Sequence, residues 1–343
     1  MDQQKSILII YTGGTIGMIK DPSSGLLKPF NFNNLYQQIP ALKLLDHQID
    51  NFCFDPVIDS SDMSPRYWSE IANVIGENYE KYDGFVVLHG SDTMAYTASA
   101  LSFMLENLNK PVILTGSQLP LGMLRSDGRE NFITSIEIAA AQEDDTPLVP
   151  EVAIYFENQL MRGNRTIKAS AENFEAFKSP NYPALADVGV YIKYNRQFIR
   201  KPNFKKLKVH TTLSNDIAVM KLFPGISQGF VEAVLQTEGL KALVLETYGS
   251  GNALTDEWFV KALKKHIDMG LVVVNVTQCQ SGTVDMEKYQ TGILLHNIGI
   301  ISGFDITTEA AVTKLMYLHG IYHDPAQVRQ KFIRSLRGEI TIV

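Results

Sequence analysis

The residues His89-Gly90-Ser91-Asp92-Thr93 set two hydroxyls and a carboxylate side by side. They follow the buried-looking run Gly84-Phe85-Val86-Val87-Leu88, and the pattern after them predicts a helix from about Met94 to Leu105. Ser91 and Asp92 therefore fall where a strand gives way to a helix. In an open α/β sheet that junction faces the ligand crevice. A nucleophilic hydroxyl, or a clamp for a small zwitterion, could be built there.

The same kind of junction recurs. The first strand candidate, Ile7–Tyr11, is followed by Thr12-Gly13-Gly14-Thr15, and an expected strand at Pro56–Ile58 by Asp59-Ser60-Ser61-Asp62. Val112–Thr115 runs into Gly116-Ser117-Gln118. In a parallel sheet such junctions share one edge, so the four polar groups are expected to converge on one site. The plainer reading is that Ser, Thr, Asp and Gly cap helices and make turns. Hydroxyls, carboxylates and backbone donors with few aromatics suit a small, highly polar molecule such as an amino acid. Phosphate binding is disfavoured, because neither G-x-G-x-x-G nor G-x-x-x-x-G-K-[ST] is present. His89 and Thr93 occupy the glycine positions of a G-x-S-x-G elbow, so a Ser-His-Asp hydrolase is not supported. A hydroxyl nucleophile needs a base, and Lys168, in Arg162-Gly163-Asn164-Arg165-Thr166-Ile167-Lys168, is a candidate.

The elements that must position these groups alternate. Strand candidates Ile7–Tyr11, Phe85–Leu88, Val112–Thr115 and Val152–Phe156 are separated by helix candidates Pro65–Tyr79, Met94–Leu105 and Arg129–Ala141. This rhythm argues for an α/β protein with a mainly parallel sheet covered on both faces. Beyond the basic stretch Arg200–Lys208, read as a solvated linker, it resumes with strands Ile217–Leu222, Ala242–Leu245 and Leu271–Val276. A helix from Asp256 to Met269 is expected, with Thr255 as N-cap and Gly270 just past its end. The expected organisation is a larger N-terminal α/β domain over residues 1–195, a linker over 196–208 and a smaller C-terminal α/β domain over 209–343.

A chain of 343 residues is long enough for two cores. With 45% hydrophobic and 20% charged residues it has the composition of a globular protein, and no apolar run approaches bilayer length. The first residues lack the flanks of a signal peptide, so a cytoplasmic location and no membrane partner are expected. A net charge of −6 and a pI near 5.7 argue against a nucleic-acid partner. Cys53 and Cys279 have no ligand-spaced neighbours and read as small buried residues, and the seven histidines show no His-x-x-x-His. No metal site is expected.

Taken together, the motifs resemble those of the bacterial type I L-asparaginases, the cytoplasmic branch of the asparaginase/glutaminase family. The resemblance rests on Tyr11-Thr12-Gly13-Gly14-Thr15-Ile16-Gly17-Met18, Asp59-Ser60-Ser61-Asp62-Met63 and His89-Gly90-Ser91-Asp92-Thr93-Met94-Ala95-Tyr96. Arg162–Thr166 with Lys168, and Thr277-Gln278-Cys279, add to it. It implies hydrolysis of L-asparagine to L-aspartate and ammonia with no metal or cofactor. Carried over by position, Thr15 would be the nucleophile, and Ser91, Asp92 and Lys168 a second hydroxyl–carboxylate–lysine set. Asp92 would also pair with the substrate ammonium. Ser60, with the backbone near Asp59 and Ser61, would hold its carboxylate, and the backbone near Ser117 would meet the amide. The resemblance further implies a homodimer, in some members a tetramer, with Asn252 near the interface and the partner's site.

Three positions depart from the family pattern. Ser91 stands where threonine is usual. Leu26 stands where a lid tyrosine is common, and Tyr36 lies too far along to replace it. Glu246 stands where some type I enzymes carry an arginine that grips an activating asparagine; a carboxylate there would repel the ligand's own. Two other functions fit parts of the pattern: an asparaginase-like subunit of a tRNA-dependent amidotransferase, and a non-catalytic amino-acid sensor.

Overall fold

The computed structural model describes residues 4–20, 27–29, 39–121 and 123–341. Leu26 and Tyr36 lie outside them. The chain forms two compact units, Met1–Thr211 and Thr212–Val343.

The first unit is built on an eight-stranded sheet. Its strands are β1 (Ser6–Tyr11), β2 (Gln48–Cys53), β3 (Gly84–Leu88), β4 (Val112–Thr115), β5 (Val152–Phe156), β6 (Gln159–Arg162), β7 (Ala186–Val188) and β8 (Ile192–Tyr194). They lie in the order β8-β7-β6-β5-β4-β3-β1-β2. The run from β2 to β5 is parallel, and β6, β7 and β8 are joined on antiparallel. Every residue of β3, β4 and β5 is buried, as expected of continuous β-branched runs covered on both faces. Helix α1 (Pro65–Glu77) buries one stripe through Trp68, Ile71, Ala72, Val74 and Ile75. Helix α2 (Met94–Met104) has the small apolar sequence MAYTASALSFM and is buried on nearly all sides. Helix α3 (Gly128–Ala140) packs Phe132, Ile136 and Ile138 into the core under β1, β3 and β4.

The outermost parallel strand is β2 rather than Pro56–Ile58. The register of β1 with β2 ends at Tyr11 opposite Cys53, and the chain then leaves the sheet. Pro56 has no N–H to give to a ladder. Residues 56–58 instead lie outside any ladder, against the turn after β1, with the Ile58 N–H donating to the Thr12 carbonyl at 2.7 Å. The stretch 196–208 belongs to the first unit. Phe198 and Ile199 pack on its core, and the Arg200 N–H donates to Glu151 at 2.8 Å. Lys208–Val209 pairs with Leu105–Glu106. Glu151 is oriented for this by its buried partner Arg162 (Nε to Oε2, 2.6 Å).

The second unit carries a parallel sheet, β9 (Ile217–Lys221), β10 (Ala242–Thr247), β11 (Val272–Thr277) and β12 (Ile301–Ser302), in that order. Helices α4 (Gln228–Leu235), α5 (Glu257–Asp268), α6 (Gln290–Asn297), α7 (Thr308–Ile321) and α8 (Pro325–Phe332) accompany it. Helix α5 is capped by Asp256, not Thr255: the Phe259 and Val260 N–H groups already bond to the Asp256 carbonyl. Gly270 follows the helix at φ +107°, the left-handed position glycine favours. Among the described residues no helix is long and apolar enough to cross a membrane.

Candidate active site

The polar junctions are held mainly by backbone geometry. After β1, Gly13 and Gly14 take φ of +147° and +87°. A Cβ at Gly13 would lie 2.0 Å from the Ile58 carbonyl oxygen, and one at Gly14 would lie 2.5 Å from the Gly90 Cα. Only glycine meets both demands. The turn that carries Thr15 is thereby seated against the 58–60 segment on one side and the Gly90 turn on the other. Thr15 opens a short 3-10 turn, Thr15–Gly17, and is half-buried. The Tyr11 hydroxyl donates to the Gly17 carbonyl at 3.1 Å. Burial, helped by Cys53, pushes the Tyr11 phenol up to about 12, so it remains a neutral donor.

Asp59 caps the 3-10 turn Ser60–Asp62, its Oδ1 accepting the Ser61 N–H at 2.8 Å. That backbone bond holds the Asp59 carboxyl below the usual carboxylate range. Its side chain therefore serves its own turn. Ser60 is buried, and its carbonyl accepts the Thr93 hydroxyl at 2.7 Å, which joins this turn to the one after β3.

The Lys168 ammonium donates to Ser91 Oγ at 2.9 Å and to Asp92 Oδ1 at 2.5 Å. Lys168 sits on the two-residue strand Ile167–Lys168, paired with Phe177–Lys178 and reached from the buried turn Gly163–Arg165. Its side chain is 19% exposed, whereas that of Asp92 is 62% exposed. The cluster is thus walled on the lysine side and open on the carboxylate side.

Behind it lies a buried chain of hydrogen bonds. His89 Nδ1 is 2.6 Å from the Gly90 carbonyl and Nε2 is 2.9 Å from Thr97 Oγ1, which also accepts the Trp68 indole N–H at 2.9 Å. A carbonyl can only accept, so Nδ1 carries the proton and Nε2 accepts from Thr97. Burial lowers the imidazole to about 4, which keeps the ring neutral and this direction of donation intact. After β4, the Ser117 hydroxyl donates to the Leu119 carbonyl at 2.6 Å, so the Ser117 turn offers its backbone rather than its side chain.

Thr15, Ser60, Ser91, Asp92, Ser117 and Lys168 are therefore grouped at the carboxyl end of one parallel sheet, where α/β proteins bind ligands. Hydroxyls, an ammonium, a carboxylate and glycine-lined backbone favour acyl transfer on a small zwitterion.

Residues 6–200 match the family model described as "Asparaginase, N-terminal", and residues 216–332 match "Glutaminase/Asparaginase C-terminal domain". The chain belongs to the asparaginase family. It is 45% identical to L-asparaginase 1 of Escherichia coli K12 over 344 aligned residues, 99% of each chain. Among solved structures it resembles L-asparaginase I of Vibrio cholerae (41% identity, TM-score 0.88, covering 99% of this chain and 100% of the other). It also resembles the thermostable L-asparaginase of Thermococcus kodakarensis (30% identity, TM-score 0.90, covering 98% and 100%).

The remaining predicted residues of this asparaginase-family chain fall elsewhere. Asn252 belongs to the second unit, where its Oδ1 accepts the Thr291 hydroxyl at 2.5 Å and its backbone bridges Tyr248. Glu246, on β10, accepts the Thr308 hydroxyl at 2.7 Å, with the Lys221 ammonium 4.0 Å away. Both cysteines are exposed, contrary to expectation: Cys53 ends the outermost strand and Cys279 lies in the loop after β11. Among the described residues no group of three or more His, Cys, Asp or Glu is arranged to hold a metal. Sequence reasoning missed His89, Thr97 and Trp68 as a linked set, and missed Asp127 and Asn131, which hold the Ser117 turn. The one available signal for the latter pair was their i, i+4 spacing at a helix start.

Proposed function

We propose that this protein hydrolyses the side-chain amide of L-asparagine to L-aspartate and ammonia. The observation that carries the reading is the Lys168–Ser91–Asp92 cluster beside the Thr15 turn in a chain that matches the E. coli enzyme end to end. In this scheme Thr15 Oγ1 attacks the amide carbon, and the hydroxyl–lysine set takes up its proton in exchange for one that it gives to the leaving nitrogen. The tetrahedral oxyanion collapses with cleavage of the C–N bond, and ammonia leaves with that proton. Water then cleaves the resulting ester to release aspartate and restore the Thr15 hydroxyl. Asp92 meets the substrate ammonium through its exposed oxygen, and Ser60 with the backbone around Asp59 and Ser61 meets the α-carboxylate. The two clamps fix the amide against Thr15 and convert binding into proximity. The backbone around Ser117 faces the amide end, where donors stabilise developing charge. No cofactor enters the scheme.

The same reading makes the protein a cytoplasmic homodimer, or a tetramer built from such dimers, in which Asn252 approaches the partner's site. The full-length match with L-asparaginase 1 favours it over an amidotransferase subunit or an amino-acid sensor. A coupled ammonia assay with asparagine and glutamine decides it: saturable ammonia release from asparagine is expected, and none from either amide would overturn it.

Two departures make predictions of their own. Ser91 keeps the hydroxyl that Lys168 contacts and lacks only the methyl that restricts threonine about χ1. Ser91→Thr is expected to change kcat by less than about tenfold, whereas Ser91→Ala, which removes the proton-handling hydroxyl, is expected to lower it by about 10²-fold or more. Equal kcat for Ser91→Ala and wild type would remove Ser91 from the mechanism. At the second position, the Glu246 carboxylate is already held by Thr308 and presents negative charge. Asparagine saturation is expected to be hyperbolic, and a clearly sigmoidal curve would contradict this.

A further inference from the structure

Asn131 lies on the first turn of α3, is 2% exposed, and belongs to none of the motifs that carry the proposed chemistry. Its Nδ2 donates to the Gly116 carbonyl at 3.0 Å, and its Oδ1 accepts the Glu157 N–H at 3.1 Å. These partners fix which end of the amide is which, since a carbonyl only accepts and an N–H only donates. Gly116 directly follows β4 and Glu157 directly follows β5. One buried amide therefore laces together the carboxyl ends of two neighbouring strands. One turn earlier, Asp127 completes the lacing. Its carboxylate accepts the Gln118 N–H at 2.9 Å and the Leu119 N–H at 3.1 Å, and Asn131 Nδ2 stands 3.4 Å from its Oδ2. The far side of the same turn is tied to the Ser91 turn, because the His89 N–H donates to the Thr115 carbonyl at 2.9 Å.

The turn Gly116–Leu119 is thus held on both flanks, and the direction of its peptide groups is set by Asn131 of α3 and by Asp127, the residue that caps this helix. We propose that Asn131, with Asp127 beside it, is a positioning residue that aims the backbone of the Ser117 turn at the reacting amide. This rests on the amidase reading given above. Asn131 is suited to the place because both of its neighbours are backbone groups of opposite character. A hydroxyl is too short to span them, and an apolar side chain would leave both unpaired in a buried site. A carboxylate could accept from Glu157 N–H but would face the Gly116 carbonyl and Asp127 with negative charge.

The test is Asn131→Asp, which keeps volume and shape, removes the donor and turns a carboxylate oxygen toward the Gly116 carbonyl and Asp127. Its kcat and KM for asparagine would be measured beside amide hydrogen exchange in residues 115–119. Small misplacements of positioned groups are costly, so kcat is expected to fall about tenfold or more while KM changes less than about threefold. Exchange in 115–119 is expected to quicken. Asp127→Asn, which weakens the clamp on Gln118 and Leu119 from the half-buried end of the helix, is expected to move both readouts the same way and serves should Asn131→Asp not fold. Wild-type kcat in the variant that folds would overturn the proposal, as would faster exchange without loss of kcat. If the wild-type protein releases no ammonia from asparagine, the amidase reading fails first; unchanged exchange in 115–119 would then overturn the lacing on its own.

Discussion

Replacing Thr15 by alanine is expected to lower kcat for asparagine by about 10³-fold or more while leaving the fold intact, and Lys168→Met is expected to cost a comparable factor. The Thr15 side chain contributes little to packing: it is half-buried, and the turn beneath it is fixed by Gly13, Gly14 and the Tyr11 hydroxyl. Loss of its hydroxyl should therefore appear in kcat and not in stability. Lys168 differs in kind. Its ammonium touches both Ser91 and Asp92, so its removal unties the second hydroxyl and the ammonium anchor together. KM is then expected to rise along with the fall in kcat, because Asp92 loses the partner that orients it. Residues that act as a unit are not additive. The double variant Thr15→Ala/Lys168→Met should therefore be no more than about tenfold slower than the worse single variant. Steady-state ammonia release on protein of matched far-UV circular dichroism checks all three. A Thr15→Ala protein working at more than about a tenth of the wild-type rate would remove Thr15 from the chemistry.

Most of the site is legible in the sequence because its residues flank strong local signals. Ile7–Tyr11, Phe85–Leu88, Val112–Thr115 and Val152–Phe156 are β-branched runs that only a doubly covered sheet accommodates, and the structure places strands over each of them. Once those strands are parallel, Thr15, Ser91 and Ser117 must share an edge. What the pattern hides is whatever depends on a partner distant in the chain. The strand Gln48–Cys53 exposes most of its residues, so its sequence, QIDNFC, lacks the alternation that marks a half-buried strand. The segment Pro56–Ile58 reads as a strand, yet its place is set by a hydrogen bond to Thr12 and by the close approach of Gly13.

The supporting residues are harder still to see. His89 reads as part of a motif, but its Nε2 is held by Thr97, which in turn accepts from Trp68, twenty-one positions upstream of His89 on another helix. Asn131 reads as one more polar residue on an amphipathic helix. Its role exists only because α3 lies under the ends of two strands. Chemistry-bearing residues announce themselves through residue type and neighbours; the residues that aim them do so through tertiary contacts alone.

In the second unit, breaking one buried ion pair is expected to destabilise the protein by about 3–5 kcal/mol. Lys314 of α7 and Glu339 are both fully buried, 2.5 Å apart. The Lys314 ammonium also donates to the Phe332 and Arg334 carbonyls at 2.6 and 2.7 Å. Glu339 accepts the Leu336 and Arg337 N–H groups at 2.8 and 2.7 Å. Burial by itself would raise the Glu339 carboxyl, but the charge of Lys314 and these N–H donors outweigh it and hold the carboxyl below the ordinary glutamate range. Lys314→Met leaves that carboxylate buried without its cation, which is the expensive case. The double variant Lys314→Met/Glu339→Gln leaves no unpaired charge and is expected to recover a large part of the loss, so the two changes should be strongly non-additive in urea denaturation. The pH dependence follows from the sign of the shift. A carboxyl lowered on folding contributes stability above its unfolded value of about 4.3, and that contribution disappears as pH falls through the lower folded value. The difference in stability between wild type and Lys314→Met should therefore be largest at neutral pH and narrow as the medium turns acid: burial raises the carboxyl in the variant, so its penalty eases already above about pH 4.3, and the wild type loses its own contribution below that value. A gap that stays constant down to about pH 3 would show that the pair acts through packing and not through charge.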